Sequence, residues 1–293
     1  MKKIVMATLL ATSLVAAHAQ VAVSGKIGEW IDSSKVGTSR STSVLTEATS
    51  NVTVTANEKL NNGLTARVVV DTSLSGNTIS GNGTQIGDRQ STVGIVSKFG
   101  SIDVGRNVHS QFLAVTNNDA FGTLYGSVAG DIHNLRGLRF SNGAFVTVNP
   151  YKNVTVSYDR AQTVAGTDAL AYGVSGTING VATTVARFEQ GIETSTVIAA
   201  NYKLGNTQVF ASRSEDKGLA NSTGKLFGAK YNMGNISYKA SYGTASSNVT
   251  AYALGADYAL SKRTEVGVSY RSVNRTGSSQ DVTQYGVGLT HRF

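Results

Sequence analysis

The sequence predicts an all-β fold, a 16-stranded antiparallel transmembrane β-barrel, on three observations. The chain closes on a strand with one greasy face, because Phe293, His291, Leu289, Val287 and Tyr285 alternate with Arg292, Thr290, Gly288 and Gly286. It opens like a secreted protein. Between the two ends, turn residues cut the chain into segments of about nine to twelve residues, the length a tilted strand needs to cross hydrocarbon.

The opening segment carries Lys2 and Lys3, then an apolar stretch over residues 4–15, then Ala17-His18-Ala19, the small-x-small pattern that a signal peptidase needs. Residues 1–19 are therefore expected to be a signal peptide cut after Ala19, leaving 20–293 as the barrel domain. Removing nineteen residues and two lysines from a chain of 293 residues with charge +8 leaves 274 residues and charge +6. No later apolar run approaches the roughly 18 residues of a membrane helix. A membrane crossing would have to be made by strands.

The tight turns fall at every second junction: Leu60-Asn61-Asn62-Gly63, Phe99-Gly100, residues 149–153, Asn179-Gly180, Gly205-Asn206, Gly234-Asn235 and Ser261-Lys262-Arg263. Between them lie connections of uneven length, near 33–50, 74–88, 107–136, 162–167, 190–194, 214–222, 246–248 and 274–280. Seven tight turns and eight variable loops join sixteen strands. Transmembrane barrels pair short periplasmic turns with longer outer loops, and an even strand number leaves both termini on one side.

Alternation supports the assignment strand by strand. Leu64, Ala66, Val68 and Val70 alternate with Thr65, Arg67, Val69 and Asp71; Tyr252, Leu254, Ala256 and Tyr258 alternate with Ala251, Ala253, Gly255 and Asp257. Segments 181–189 and 207–213 have no clear period and are assigned by spacing alone. A soluble β-sandwich would also alternate. The high strand count and the tyrosines near strand ends (Tyr158, Tyr202, Tyr231, Tyr242, Tyr258, Tyr270, Tyr285) favour the barrel, whose interfaces carry aromatic girdles.

Composition narrows the chemistry. With no cysteine there is no disulfide, thiol nucleophile or thiolate metal site, and one proline against 32 glycines suits strands joined by tight turns. The pI is near 9.6, but basic residues are scattered rather than clustered, which argues against nucleic acid as a partner. An enzyme on this scaffold would need a histidine beside a nucleophile or acid. Of four histidines, His18 belongs to the signal and His291 to the outward parity of the last strand, so only His109 and His133 remain. Both are read as pore-lining polar groups that gain positive charge as pH falls toward about 6.5. Glu29 has outward parity, which predicts either a place at the outer rim or cover by a neighbouring subunit. Gly228, Gly255 and Gly267 are expected at bends or close approaches.

Several stretches resemble the Gram-negative general porins of the neisserial and burkholderial type. Tyr258-Ala259-Leu260-Ser261-Lys262-Arg263-Thr264 is similar to that family's late periplasmic turn, and residues 286–293 to its terminal strand. Glu58-Lys59-Leu60-Asn61-Asn62-Gly63-Leu64 resembles its first turn, and residues 99–106 the strand that enters its long third loop. The matches run from end to end of the mature chain.

The resemblance implies an inward-folded third loop, here 107–136, that narrows the pore, and a homotrimer. The loop face of the constriction would be Asp119 and Asp131 with His109 and His133. The basic wall would be Arg89, Arg106, Arg136 and Arg139, with Arg67 added by parity. Tyr285, Leu289 and Phe293 would be the assembly signal for the barrel assembly machinery and periplasmic chaperones. Asn51 stands where the family often has a wall arginine, and the chain is shorter than most relatives, so several outer loops must be reduced.

The expected function is passive diffusion of small hydrophilic solutes and ions through an outer-membrane channel, with no cofactor and no bond made or broken. Mature charge +6 and arginines near the third loop predict a preference for anions. The other readings are a substrate-specific channel and a secreted adhesin-like β protein with no pore.

Overall fold

The computed structural model describes residues 20–74, 85–135, 137–162, 166–218, 222–246, 248–277 and 280–293. The expected signal segment and Arg136 lie outside the described residues. The strands are β1 (Gln20–Val36), β2 (Ser39–Thr46), β3 (Asn51–Lys59), β4 (Thr65–Ser73), β5 (Gln90–Ser97), β6 (Gly100–Val108), β7 (Arg139–Tyr151), β8 (Val154–Gln162) and β9 (Asp168–Ile178). They continue as β10 (Val181–Gln190), β11 (Glu193–Leu204), β12 (Thr207–Lys217), β13 (Ser222–Met233), β14 (Ile236–Ala245), β15 (Val249–Ala259), β16 (Thr264–Arg275) and β17 (Val282–Arg292).

Every neighbouring pair is antiparallel, and the sheet closes on itself. Residues 26–36 of β1 pair with residues 292–282 of β17. At the seam Gly25 and Phe293 exchange backbone hydrogen bonds of 3.0 Å in both directions. Closure leaves no free edge, which is what a strand protein in hydrocarbon requires.

Seventeen hydrogen-bonded segments make sixteen staves, because β2 and β3 lie end to end against β1. The break at 47–50 is stitched into β1: Glu47 N donates to Gly28 O at 2.7 Å, and Gly28 N donates to Ser50 Oγ at 3.0 Å. The expected loop at 33–50 is therefore mostly strand, reduced to a turn at 37–38 and this break. Residues 39–43 read Ser-Arg-Ser-Thr-Ser, polar on both faces, so they carried no period to detect. Segments 181–189 and 207–213, assigned by spacing, lie in β10 and β12, and β12 continues to Lys217 into the expected loop at 214–222.

The tight turns gather at one end. At the hairpin between β9 and β10, Asn179 (φ 51°) and Gly180 (φ 82°) both take left-handed backbone, the conformation whose twist matches flanking strands. Outward parity carries the apolar residues, with Ile31, Ile198, Leu254 and Val287 at 63, 53, 56 and 53% exposure. Tyrosines face each other across strands at both ends of this belt: Tyr231 opposite Tyr238 toward the tight turns, Tyr242 opposite Tyr252 and Tyr270 opposite Tyr285 toward the loops. Inward parity is mostly small or polar, with larger apolar residues such as Trp30, Phe188, Val197 and Leu226 buried inside the barrel.

Gly25 is a close approach at the closing seam, since a Cβ there would collide with the Asn51 carbonyl oxygen and meet Phe293 Cζ at 2.7 Å. Gly25→Leu is expected to cost at least about 1–3 kcal/mol of stability through overpacking. The temperature at which the folded band converts on a denaturing gel should fall, whereas Val23→Leu on the outward face should leave it unchanged.

Candidate functional site

The segment between β6 and β7 forms two short helices, α1 (Ser110–Thr116) and α2 (Ala129–Ile132), and packs against inward-facing side chains of the wall. His109 caps α1. Its Nδ1 accepts from Phe112 N at 3.3 Å, which leaves Nε2 to donate to Gly137 O at 2.5 Å. The ring is fully buried between Phe140 and Phe188, with centroids 4.8 and 5.4 Å away.

Polar side chains of the wall then hold the loop along its length. Ser110 N donates to Asp159 Oδ2 at 2.7 Å, Gln111 Nε2 donates to Ser195 Oγ at 3.0 Å, and Asn201 Nδ2 donates to Asn118 Oδ1 at 2.9 Å. Further on, the Tyr125 ring stacks on Trp30 at 4.2 Å and its hydroxyl donates to Asp32. Burial and the Asp32 carboxylate raise the Tyr125 phenol above its ordinary value. Beyond α2, His133 lies between Ser214 Oγ at 2.9 Å and Ser212 Oγ at 2.8 Å.

Small wall residues make room for these contacts. A Cβ at Gly288 or Gly286 would collide with Trp30 or Tyr125, and one at Gly243 would meet Ile132 at 2.7 Å. Gly228, Gly255 and Gly267 are close approaches, as expected: a Cβ there would meet Ala120 at 3.0 Å, Phe121 at 2.9 Å and Trp30 at 2.6 Å. The seat so formed buries Val115, Val128, Ala129 and Ile132 against Val197, Ala199, Ala251 and Ala253. Burying each larger apolar side chain contributes about 1.5–3 kcal/mol. The loop is held by a dry core.

The expected site residues fall into three groups. Arg89, Arg106 and Arg139 come together on the wall near the loop's two ends, close enough for Arg139 to feel the charge of both others and of Asp71 and Asp88. Arg89 Nε pairs with Asp71 at 3.0 Å, while Arg106 donates to Asp88 O at 2.6 Å and to Ser141 Oγ. Neither Arg106 nor Arg139 has an ion-pair partner among the described residues. Arg67 sits apart, with Nε and Nη2 at 3.3 and 2.6 Å from the two carboxylate oxygens of Asp103. Asn51, at the position of the missing family arginine, donates to Asp71 at 2.6 Å.

The loop acids do not face these arginines. Asp119 is buried and turned inward on its own loop, accepting from Thr123 N at 2.8 Å and Ser127 Oγ at 2.6 Å. Asp131 pairs instead with Arg275 Nη2 at 2.8 Å and Arg271 Nη1 at 3.4 Å on β16, and Arg271 also donates to Ser127 O at 2.9 Å. Arg271 and Arg275 are not legible in the sequence because they stand 140 and 144 residues from Asp131, with nothing local to mark them. His109 and His133 are 0 and 1% exposed, so the expectation that they line the pore is corrected. They fasten the loop to its seat.

With the loop seated on β8–β17 and β1, open space remains beside α1. A cavity of about 390 Å³ lies between Leu113, Ala114 and Asn117 of the loop and a wall that includes Arg67, Asp103, Asn107, Thr147 and Ser157. Among the described residues no group of three or more metal-ligating side chains converges.

The model of the Gram-negative porin family matches residues 5–293. The chain is a Gram-negative porin. It forms a water-filled channel of the outer membrane through which small hydrophilic solutes and ions diffuse passively. A search of curated protein sequences returns no match. Among solved structures it resembles the anion-selective porin of Comamonas acidovorans, at 17% identity and TM-score 0.82 over 94% of this chain and 100% of that one. OmpT of Vibrio cholerae, in its trimer form, aligns at 13% identity and TM-score 0.69 over 94% of this chain and 99% of that one. A triple mutant of the Rhodopseudomonas blastica porin aligns at 15% identity and TM-score 0.72 over 94 and 100% of the two chains. These likenesses concern the barrel fold, and the family places the porin as a channel rather than an enzyme.

Burial lowers the pKa of His133 from 6.5 to about 4. A neutral imidazole held below its ordinary value contributes stability that is complete above pH 6.5 and is lost as pH falls through about 4. The porin should therefore lose up to a few kcal/mol from this group between those values. Thermal unfolding at pH 7 and pH 4.5 checks this: the drop in midpoint should be smaller for His133→Gln than for the unaltered chain.

Proposed function

We propose that the channel prefers anions and that Arg89, Arg106 and Arg139 set the preference. The observation that supports this reading is that Arg106 and Arg139 gather beside Arg89 on the strands flanking the loop and have no carboxylate pair among the described residues, so no direct ion pair cancels their charge. In a narrow passage with low-dielectric walls such charge raises the local anion concentration. Arg89 and Arg67 contribute less than Arg106 and Arg139, because Asp71 and Asp103 pair with them at 3.0 and 2.6 Å. The anion-selective porin of Comamonas acidovorans supports the same sign through its shared fold. Arg136 belongs to the proposed wall by its place in the sequence, and Asp131 acts as a fastening for the loop.

The rest of the reading concerns maturation and assembly. We infer that the signal peptide is cut after Ala19, that the barrel matures as a homotrimer in outer-membrane lipid, and that Tyr285, Leu289 and Phe293 are read by the barrel assembly machinery after periplasmic chaperones deliver the chain. These three outward residues are 56, 51 and 44% exposed along the closing strand, where a partner could reach them. Glu29 is half-buried on the outward face and accepts from Thr46 Oγ1 at 2.8 Å, which suits cover by a neighbouring subunit better than contact with acyl chains.

Reversal potential across a planar bilayer under a salt gradient tests the central proposal. The expected sign is anionic, strongest at low ionic strength because screening over about 8–10 Å weakens it at physiological salt. Arg106→Glu with Arg139→Glu should lower the anion-to-cation ratio by at least about twofold, and Arg67→Gln should change it less. A cationic sign for the unaltered porin defeats the proposal. Conductance rising in groups of three equal steps, and a mature N-terminus at Gln20, are the results expected for assembly and processing.

A further inference from the structure

On the turn side of the loop, the inward face of the wall carries cations in two different states. Three are cancelled: Lys26 Nζ lies 3.0 Å from Glu47 Oε2, Arg292 Nη2 lies 2.7 Å from Glu265 Oε1, and Lys239 pairs with Asp257 while its ammonium stands 5.7 Å from the ring centroid of Phe121 in the loop. Two are not. Among the described residues neither Lys203 nor Lys230 has an ion pair, and the Asp257 carboxylate is already taken by Lys239.

Register puts these two lysines in one row. Lys203 of β11 is directly opposite Gln208 of β12, Gln208 is directly opposite Lys230 of β13, and Lys230 is directly opposite Lys239 of β14. The row faces the lumen, because residues two apart on a strand share a face: Asn201 donates to Asn118 of the loop, and a Cβ at Gly228 would meet Ala120 of the loop at 3.0 Å. The lysines therefore lie two residues, about 7 Å, nearer the tight turns than these loop contacts. Gln208 Nε2 donates to Asn201 Oδ1 at 3.0 Å, which fixes the amide between the two lysines and leaves its second N–H to donate to a ligand.

Spacing decides what such a row can hold. Neighbouring strands are about 4.8 Å apart, so Lys203 and Lys230 leave the wall about 10 Å from one another, on flexible four-carbon stems that can swing toward a shared ligand. An anion with a single charged centre neutralises one ammonium at a time. A linear oxyanion with several charges reaches both and accepts from the Gln208 amide between them.

We propose that Lys203, Lys230 and Gln208 form a binding station for a multivalent oxyanion in the lumen, on the turn side of the loop, and that an anion held there obstructs the flow of smaller ions. The inference rests on the chain being a channel and not on the charge of Arg106 and Arg139, which stand on the strands flanking the loop.

Single-channel recording of the intact porin, with inorganic tripolyphosphate added to one compartment at a time, tests it. Half-block is expected at a lower concentration from one compartment than from the other, since from the loop side the anion must first pass the loop. Inorganic phosphate, with a single centre, should block at least about tenfold more weakly. Lys203→Gln with Lys230→Gln should raise the half-blocking concentration of tripolyphosphate at least about tenfold, and Lys203→Arg with Lys230→Arg should keep the block. Lys262→Gln with Arg263→Gln removes the same charge from the turn between β15 and β16 and should shift it less than about twofold. An unchanged block when both lumen lysines are replaced by glutamine overturns the proposal. So does an equal loss in the Lys262/Arg263 variant, which assigns the effect to diffuse charge at the rim, or an equal block from both compartments. A cationic reversal potential for the unaltered porin, with a block that still depends on Lys203 and Lys230, supports the station while defeating the selectivity reading.

Discussion

A backbone N–H in hydrocarbon has no water to turn to, so a chain that crosses as strands must pair every strand on both sides. Closure of β1 on β17, from Lys26 and Arg292 to Val36 and Val282, meets that demand and fixes the parity of every stave at once. Parity then decides chemistry. Once Val287 and Leu289 face lipid, Gly286 and Gly288 must face the lumen, and their lack of side chains is what lets Tyr125 and Trp30 lie flat against the wall. The same division sends Ser212 and Ser214 inward to hold His133, while Arg213 between them goes out to the rim.

The loop is therefore a structural consequence of the barrel's small-residue face as much as a feature laid on top of it. Apolar burial around Val128 and Ile132 supplies the adhesive, and polar fastenings from Asp159, Ser195, Asn201 and the arginines of β16 fix its register. Beside α1 open space remains, lined by hydroxyl and amide groups of β6–β10 together with the Arg67–Asp103 pair. A hydrated solute meets exchangeable hydrogen-bonding groups there, and an apolar one meets little to replace the water it sheds.

Much of this was legible in the sequence. Turn spacing gave sixteen staves even where β10 and β12 lack a period, and glycines at 228, 255 and 267 announced close approaches. What stayed hidden has physical reasons. Residues 39–43 are polar on both faces because they stand clear of the belt, so a strand there looks like a loop. The partners of Asp131 lie 140 and 144 residues away and that of Tyr125 lies 93 away, distances over which no motif operates. The histidines look like pore residues in a list of titratable groups, and only packing between Phe140 and Phe188, or between Ser212 and Ser214, reveals them as fastenings.

The absence of cysteine from the chain permits a direct measurement of the division between open lumen and dry seat. Single cysteines placed at Ser157 and Thr147 on the open wall, and at Val197 and Ala251 in the loop's seat, can be exposed to a charged, water-soluble thiol reagent while conductance is recorded. The account predicts rapid modification and reduced conductance at Ser157 and Thr147, with no reaction at Val197 and Ala251 until the barrel is unfolded. Reaction at Val197 and Ala251 as fast as at Ser157 would contradict it.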